Sequence, residues 1–347
     1  MRDSVIFALS CLVLTGFVLS QVTCPQTAAQ RTDFERGLTD FRAGNYKSAA
    51  ELFERAEKAG PGTTEALLYA GKSFIHVDDF AHAEQALRAY SNFHSNSADA
   101  LYLLGFVLHH ENRPAESLKI YTQAAAIAAP TGDDLKVVGL DYVLLNDYSD
   151  AIYWLKKAVA LDPKNHDAWY YLGRSYYTKA ILTEAREAFL TVLELNPQDV
   201  RAENNLGLIL ETSGQPDAAI QAYRQAIAWQ ESSLHPSEQP YVNLGSLLLE
   251  QGHVDEALVA LNRAAHLAPS NAYCRLKLGV AYRRAGRLED SRRELEEATQ
   301  LEPDNPITHY QLGRVYKDLH ALARAQAEFA RTAELQRKAA QPEVPPH

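Results

Sequence analysis

Cysteine is almost missing from this chain. Three stand among 347 residues, at 11, 24 and 274, too few and too scattered for a disulfide framework, so packing must hold the fold. Positive charge is also short: 34 Lys and Arg face 44 Asp and Glu, a formal net charge of −10. A nucleic-acid binder needs surplus cations to displace phosphate counterions, and this chain does not have them. Glycine is sparse, at 17 residues, and the Val/Thr-rich texture of a large sheet is missing while Ala, Leu and Tyr abound. That balance points to an all-α protein. No Asn-x-Ser/Thr acceptor occurs, which suits a bacterial envelope protein better than a secreted eukaryotic one. The phosphate loop G-x-x-x-x-G-K-[ST], the nucleophile motif G-x-S-x-G and the zinc motif H-E-x-x-H are all missing too.

Long apolar runs are confined to the start. In "MRDSVIFALSCLVLTGFVLSQVTCPQTAAQ", Arg2 and the free amine give a weakly positive opening, residues 5–19 are almost wholly apolar, and small residues follow. This is the grammar of a signal peptide, with cleavage positions at Val18-Leu19-Ser20 and at Thr27-Ala28-Ala29. Residues 5–22 also suit an uncleaved anchor, although the stretch is short for a membrane span of about 20 residues. A third reading, lipid attachment at Cys24, resembles a bacterial lipobox loosely, since Gln21 and Thr23 are poor residues ahead of that cysteine. Residues 1–29 are therefore expected to be a signal peptide or N-terminal anchor. The protein is expected to be exported, periplasmic or secreted, or else membrane-tethered through this segment.

What is present is a clock. Gly37, Gly71, Gly105, Gly139, Gly173 and Gly207 are spaced by 34 residues, and after one interval of 38 the beat resumes at Gly245, Gly279 and Gly313. Twelve residues after each comes a small residue: Ala49, Ala83, Ser117, Ala151, Ala185, Ala219, Ala257, Ser291 and Ala325. Four further on is a large one: Phe53, Leu87, Tyr121, Leu155, Phe189, Tyr223, Leu261, Leu295 and Phe329. Small residues let two helices approach, and the large residue fills the adjoining groove. Pro61, Pro163, Pro197, Pro269 and Pro303 close units, because proline cannot donate to a helix ladder. Pro114 and Pro216 fall where a second helix should begin.

The unit from His166 carries Trp169, Leu172, Gly173, Tyr176, Ala185, Phe189 and Pro197, which is W-x2-L-G-x2-Y…A-x3-F…P in full. In this the chain resembles the tetratricopeptide repeat family from Gln30 to Ala339. The resemblance implies a right-handed superhelical solenoid of about nine helix-turn-helix repeats: 30–63, 64–97, 98–131, 132–165, 166–199, 200–233, 238–271, 272–305 and 306–339. "LHPS", residues 234–237, is an insertion between the sixth and seventh units and a candidate bend. The first unit, with Asp33 and Asp40 in place of aromatics, reads as a cap, and residues 340–347 as a disordered tail. These spans leave no room for a separate catalytic domain.

Isolated chemistry is thin. His109 and His110 are adjacent and so point about 100° apart on a helix, a poor metal pair. Cys274 has no companion and reads as a structural thiol. No cofactor or metal is expected, and no enzyme. The resemblance implies instead a protein–protein interaction scaffold that holds a peptide along the first helices, at positions 2, 5, 9 and 12 of each unit. There stand Tyr102, Phe106 and His109; Lys136, Leu140 and Val143; Asp167, Tyr170, Arg174 and Tyr177; and Arg201, Asn204, Leu208 and Glu211. Aromatics mixed with single charges suit an anchored, oriented segment. The carboxylate clamp of the family's chaperone binders, Lys at 5 with Asn at 9, is not matched by Leu68/Lys72, Tyr102/Phe106, Lys136/Leu140 or Tyr170/Arg174. The asparagine ladder of its GlcNAc-transferase members survives at Asn205 and Asn243 alone. From residue 272 on, 13 Lys and Arg face 11 Asp and Glu, against 21 and 33 before it. Arg283, Arg314 and Lys317 in that part could receive an acidic segment or pair with nearby glutamates. The competing function is a structural assembly subunit of an envelope or secretion complex that uses its convex face or its ends.

Overall fold

The computed structural model describes residues 28–58 and 64–340, all of whose regular structure is α-helical. Residues 1–27 and 341–347, which hold nearly all of the expected leader and of the expected tail, lie outside the described residues, as does Pro61. The helices divide between two compact units, one ending at Ala129 and one beginning at Pro130. The first unit contains α1 (Ala28–Arg42), α2 (Tyr46–Lys58), α3 (Thr64–His76), α4 (Phe80–Phe93), α5 (Ala98–His110) and α6 (Pro114–Ala125). The second begins with α7 (Gly132–Leu144), α8 (Tyr148–Leu161), α9 (His166–Thr178), α10 (Leu182–Leu195), α11 (Val200–Thr212) and α12 (Pro216–Trp229). It continues with α13 (Gln239–Glu250), α14 (Val254–Leu267), α15 (Ala272–Arg284), α16 (Leu288–Leu301), α17 (Pro306–Asp318) and α18 (Leu322–Ala340). Each odd helix packs on the even helix after it to form a hairpin. Within each unit, the first helices of successive hairpins also touch, as α9 touches α11 and α11 touches α13.

The 34-residue clock has a steric cause. A Cβ placed on Gly37, Gly173 or Gly207 would lie 2.7, 2.9 or 2.4 Å from the ring of Phe53, Phe189 or Tyr223, and the other six glycines of the series meet their own large partner in the same way. The large residue thus lies directly over the glycine, and two helix backbones close to a distance that a methyl group would forbid. Phe53, Leu87, Leu155, Phe189, Tyr223, Leu261 and Leu295 are completely buried. The two serines in the small position add a bond: Ser117 Oγ donates to the Gly105 carbonyl at 2.8 Å and Ser291 Oγ to that of Gly279 at 2.6 Å.

The ends of the helices follow local chemistry. Asp147, Asn165, Asp199 and Asn305 accept backbone N–H groups at helix starts, and Thr131 with Asp134 forms a reciprocal capping box. Pro114 and Pro216 open α6 and α12, where the missing N–H costs little. Pro163, Pro197, Pro269 and Pro303 each stand two residues past a helix end. A second periodic tie was not visible in the sequence: Trp169 Nε1, Arg275 Nε and His309 Nε2 reach the carbonyls of Pro163, Pro269 and Pro303 at 3.0, 2.8 and 2.9 Å. All three occupy the fourth position of their repeat, and each sews its helix to the turn before it.

Candidate functional site

The first unit places Tyr102, Phe106 and His109 on α5, each engaged with a neighbour. The Tyr102 hydroxyl donates to the Ala128 carbonyl at 2.6 Å, the Phe106 ring lies 4.3 Å from His110, and His109 stands edge-on to His110 at 5.4 Å. Burial and the neighbouring His109 lower the pKa of His110, which itself stacks on Phe80 at 4.6 Å. In the second unit Lys136 pairs with Asp133 on its own helix at 2.8 Å, and Leu140 is half-buried. Tyr177 shares a hydrogen bond with Thr212 across α9 and α11 at 3.3 Å. The Glu211 carboxylate accepts the hydroxyl of buried Tyr223 at 2.7 Å, so it supports the core of its own hairpin.

Five of the twelve expected residues converge. Tyr170, Arg174, Arg201, Asn204 and Leu208 line one cavity of about 420 Å³ between α9, α11 and the start of α13, together with Val200, Asn205, Ser237, Gln239 and Pro240. Tyr170 is its wall rather than an exposed anchor: it is 7% exposed, edge-on to Phe189 at 5.8 Å, and covered by the Arg201 guanidinium 4.5 Å from the ring centroid. Burial works against the charge of Arg201, but hydrogen bonds and attraction from Asp199 and Asp167 outweigh it and raise its pKa. Those contacts, at 3.3 and 3.2 Å, tie hairpin five to hairpin six. Arg174 has no ion pair among the described residues and is exposed.

A run of amides floors this cavity. Gln239 Nε2 donates to Asn243 Oδ1 at 3.0 Å, and Asn243 Nδ2 donates to Asn204 Oδ1 at 2.9 Å. Asn204 is 5% exposed, and its own Nδ2 is left without a hydrogen bond among the described residues. Asn205 Nδ2 donates to the Arg201 carbonyl at 2.7 Å, which leaves its Oδ1 as an acceptor. The cavity thus offers an amide donor and an amide acceptor on neighbouring residues, the complement of a peptide bond. The insertion supplies the far wall. Gln230, 3% exposed, donates from Nε2 to the Ser237 carbonyl at 2.9 Å and accepts the Ser237 N–H through Oε1 at 2.8 Å. Residues 234–237 therefore form a turn braced at its end, which sets Gln239 and Pro240 against α11.

Val200, Asn205, Ser237, Gln239 and Pro240 were not among the expected site residues. The signal that could have found them is the coincidence of the "LHPS" insertion with asparagines at position 6 on either side of it. Of the late cations, Arg283 pairs with Asp318 at 2.7 Å, and Arg314 lies over the Tyr310 ring with its Nη1 donating to Gln311. Cys274 is fully buried, and burial pushes its thiol up to about 11, which makes it a poor nucleophile. Among the described residues no three His, Cys, Asp or Glu side chains gather at a metal-sized point, and no helix is long and apolar enough to cross a membrane.

A family model described as "Tetratricopeptide repeat" matches residues 34–93, 78–133, 182–233 and 242–306, and another described as "TPR repeat" matches 139–179. The chain is 25% identical over 266 residues to the BBSome complex member BBS4 of Bos taurus, covering 77% of this chain and 43% of that protein. It is 30% identical over 128 residues to the Xenopus tropicalis protein of that name, covering 37% of this chain and 25% of that one. The chain thus spans less than half the length of these curated relatives. Among solved structures, a tetratricopeptide repeat protein from Parabacteroides merdae superposes with a TM-score of 0.60 at 17% identity, covering 74% of this chain and 99% of that one.

Proposed function

The chain belongs to the tetratricopeptide repeat family, and from that premise we propose that it is a non-catalytic scaffold that holds an extended segment of a protein partner across α9, α11 and α13. The observation that carries this reading is the cavity wall itself, where the Asn204 side-chain N–H and the Asn205 Oδ1 stand on neighbouring residues without a protein partner among the described residues, beside unpaired Arg174. That donor and acceptor, open to the cavity, match the carbonyl and the N–H of a bound peptide bond. Leu208 and Pro240 offer apolar contact for the neighbouring side chain. Export across a membrane belongs to the same reading and rests on the N-terminal apolar segment.

The test uses immobilised arrays of unstructured peptides of about 12 residues, probed with the full chain and with the Arg174→Glu/Asn204→Leu variant. Peptides that bind the wild type should lose about tenfold or more in affinity for the variant while its helical circular dichroism is unchanged. Equal binding by both proteins would overturn the reading. A second reading, a structural subunit of a larger assembly, is favoured by one observation: both curated relatives are named as members of a complex. Under it, the double variant would co-assemble as well as the wild type.

A further inference from the structure

The opposite side of the hairpin six to seven junction holds a larger and quite different cavity. It measures about 690 Å³ and lies between the second helices α12 and α14, floored by α13. Ile227 and Val259 face it from the two walls, and Tyr241, Leu244 and Leu248 make the floor. The first unit has a groove in the same register between α2 and α4, of about 380 Å³, but its rim carries Glu54, Glu57, Lys58, His82 and Gln85. The contrast is sharpest at the residue of the second helix that stands on the lip. Gln85 occupies that position in the first groove, and Val259, 74% exposed, occupies it in the second. Isolated exposed apolar residues are ordinary, whereas one that continues an apolar floor marks a contact surface.

Charge at the rim narrows the occupant. Arg224 and Glu256 neutralise one another across the groove at 2.7 Å. Arg263 and His266, further along α14, also line it, and neither has an ion pair among the described residues. The wall from Glu256 to His266 spans eleven residues of helix, about 15 Å, which matches about three turns of a helix laid between α12 and α14. Parallel helices with an apolar trough between them accept a third helix ridge into groove.

We infer that this trough is a second docking surface, which takes an amphipathic helix of a protein partner whose apolar stripe is flanked by acidic residues. The stripe, at i, i+3, i+4 and i+7, packs against Ile227, Leu244, Leu248 and Val259, and the flanking carboxylates meet Arg263 and His266. The surface is separate from the amide-lined cavity, which lies against the other side of α13.

The experiment titrates the full chain with a fluorescein-labelled synthetic helix of about four turns, Leu at i, i+3, i+4 and i+7 and Glu on both flanks, followed by anisotropy. Saturable binding is expected, weakened about tenfold or more by Val259→Glu, a change at an exposed position that leaves the fold intact. Arg263→Glu should reverse the preference toward a Lys-flanked version of the same helix. Arg174→Glu, in the other cavity, should leave this binding unchanged, so failure here is distinguishable from failure of the peptide reading. No saturable binding, equal binding of a shuffled peptide, or indifference to Val259→Glu would overturn the inference. So would a concentration-dependent dimer in sedimentation that Val259→Glu dissolves, because the occupant would then be a second copy.

Discussion

The amide-lined cavity and the apolar trough lie on the two sides of the same hairpins, and one helix, α13, contributes to both. On the first-helix side the lining is Arg174, Arg201, Asn204, Asn205 and Gln239 around Leu208; on the second-helix side it is Ile227, Tyr241, Leu244, Leu248 and Val259 with Arg263 at the rim. The glycine and large-residue pairs of the repeat, Gly207 over Tyr223 and Gly245 over Leu261, line neither cavity. Scaffold and surface are thus written at different positions of one unit. Packing fixes the glycine, the small residue and the large residue, and leaves the helix faces between them free to diverge in chemistry.

The severest way to break the comparison is to remove the scaffold under both sides. In Gly207→Val the new Cβ would sit 2.4 Å from the Tyr223 ring, which is fully buried and anchored by its hydroxyl on Glu211. Neither helix can yield without opening the hairpin, and a loss of about 3 kcal/mol in urea unfolding is expected, with both binding activities falling together. Gln230→Ala should instead separate the two sides. It strips both hydrogen bonds from Ser237 and leaves its backbone N–H and carbonyl short of partners, at about 1–3 kcal/mol. Amide hydrogen exchange should quicken at residues 237–241 and peptide capture should weaken. The trough, whose α13 residues Leu244 and Leu248 are held in the core, should bind its helix as before.

These two variants also divide what the sequence made legible from what it did not. The Gly207–Tyr223 contact was readable because packing forces the same solution nine times over, and repetition exposes it. The role of Gln230 was not readable, because one glutamine braces one insertion and nothing periodic betrays it. The site lies between these cases. Positions 2, 5 and 9 put Arg174, Arg201, Asn204 and Leu208 on one face, and all four line the cavity, since helix periodicity dictates which residues share a face. Periodicity gives direction but not depth, so it does not tell that Tyr170, expected along the groove, is a buried wall. It is equally silent about which hairpins cooperate: Tyr102, Phe106 and His109 belong to the first unit and are not part of this cavity.

A smaller change sharpens the second-helix side. Tyr241 and Leu67, at the fourth position of their repeats, floor the two second-helix grooves, and Glu203 stands at that position in hairpin six. Burial raises the pKa of Glu203 above the ordinary carboxylate value. A carboxyl whose folded pKa is raised contributes stability below its unfolded pKa and loses it as pH rises through the folded value, so at neutral pH the ionised Glu203 is a burden. Glu203→Gln removes that burden and adds an N–H donor at the position from which Trp169, Arg275 and His309 reach the carbonyl of a preceding proline, here that of Pro197. The variant should be about 1 kcal/mol more stable than the wild type at pH 7, with the gain shrinking as the pH falls toward 4. Thermal midpoints measured across that range check it, and a gain that does not change with pH would place the effect outside Glu203 ionisation.

The smallest change tests whether the scaffold can be strengthened without touching either side. All nine turns within hairpins hold a left-handed residue: glycine at Gly44, Gly214, Gly252 and Gly286, and Asp78, Asn112, Asn146, Ala180 and His320 in the others. Asp and Asn tolerate that conformation through local hydrogen bonds of their side chains, whereas Ala180, at φ 57°, carries a Cβ with no such compensation. Its N–H already donates to the Tyr177 carbonyl at 2.9 Å, so the closing bond of α9 survives replacement. Ala180→Gly relieves the Cβ strain of about 1–2 kcal/mol and loses part of that to the greater freedom of glycine in the unfolded chain, for a net gain of about 0.5–1 kcal/mol. Since residue 180 lines neither cavity, both binding constants should stay fixed while the unfolding midpoint rises. If the peptide affinity moved with the midpoint, the cavity between α9 and α11 would be adjustable through the α9 turn, and the separation of scaffold from surface would fail on the first-helix side.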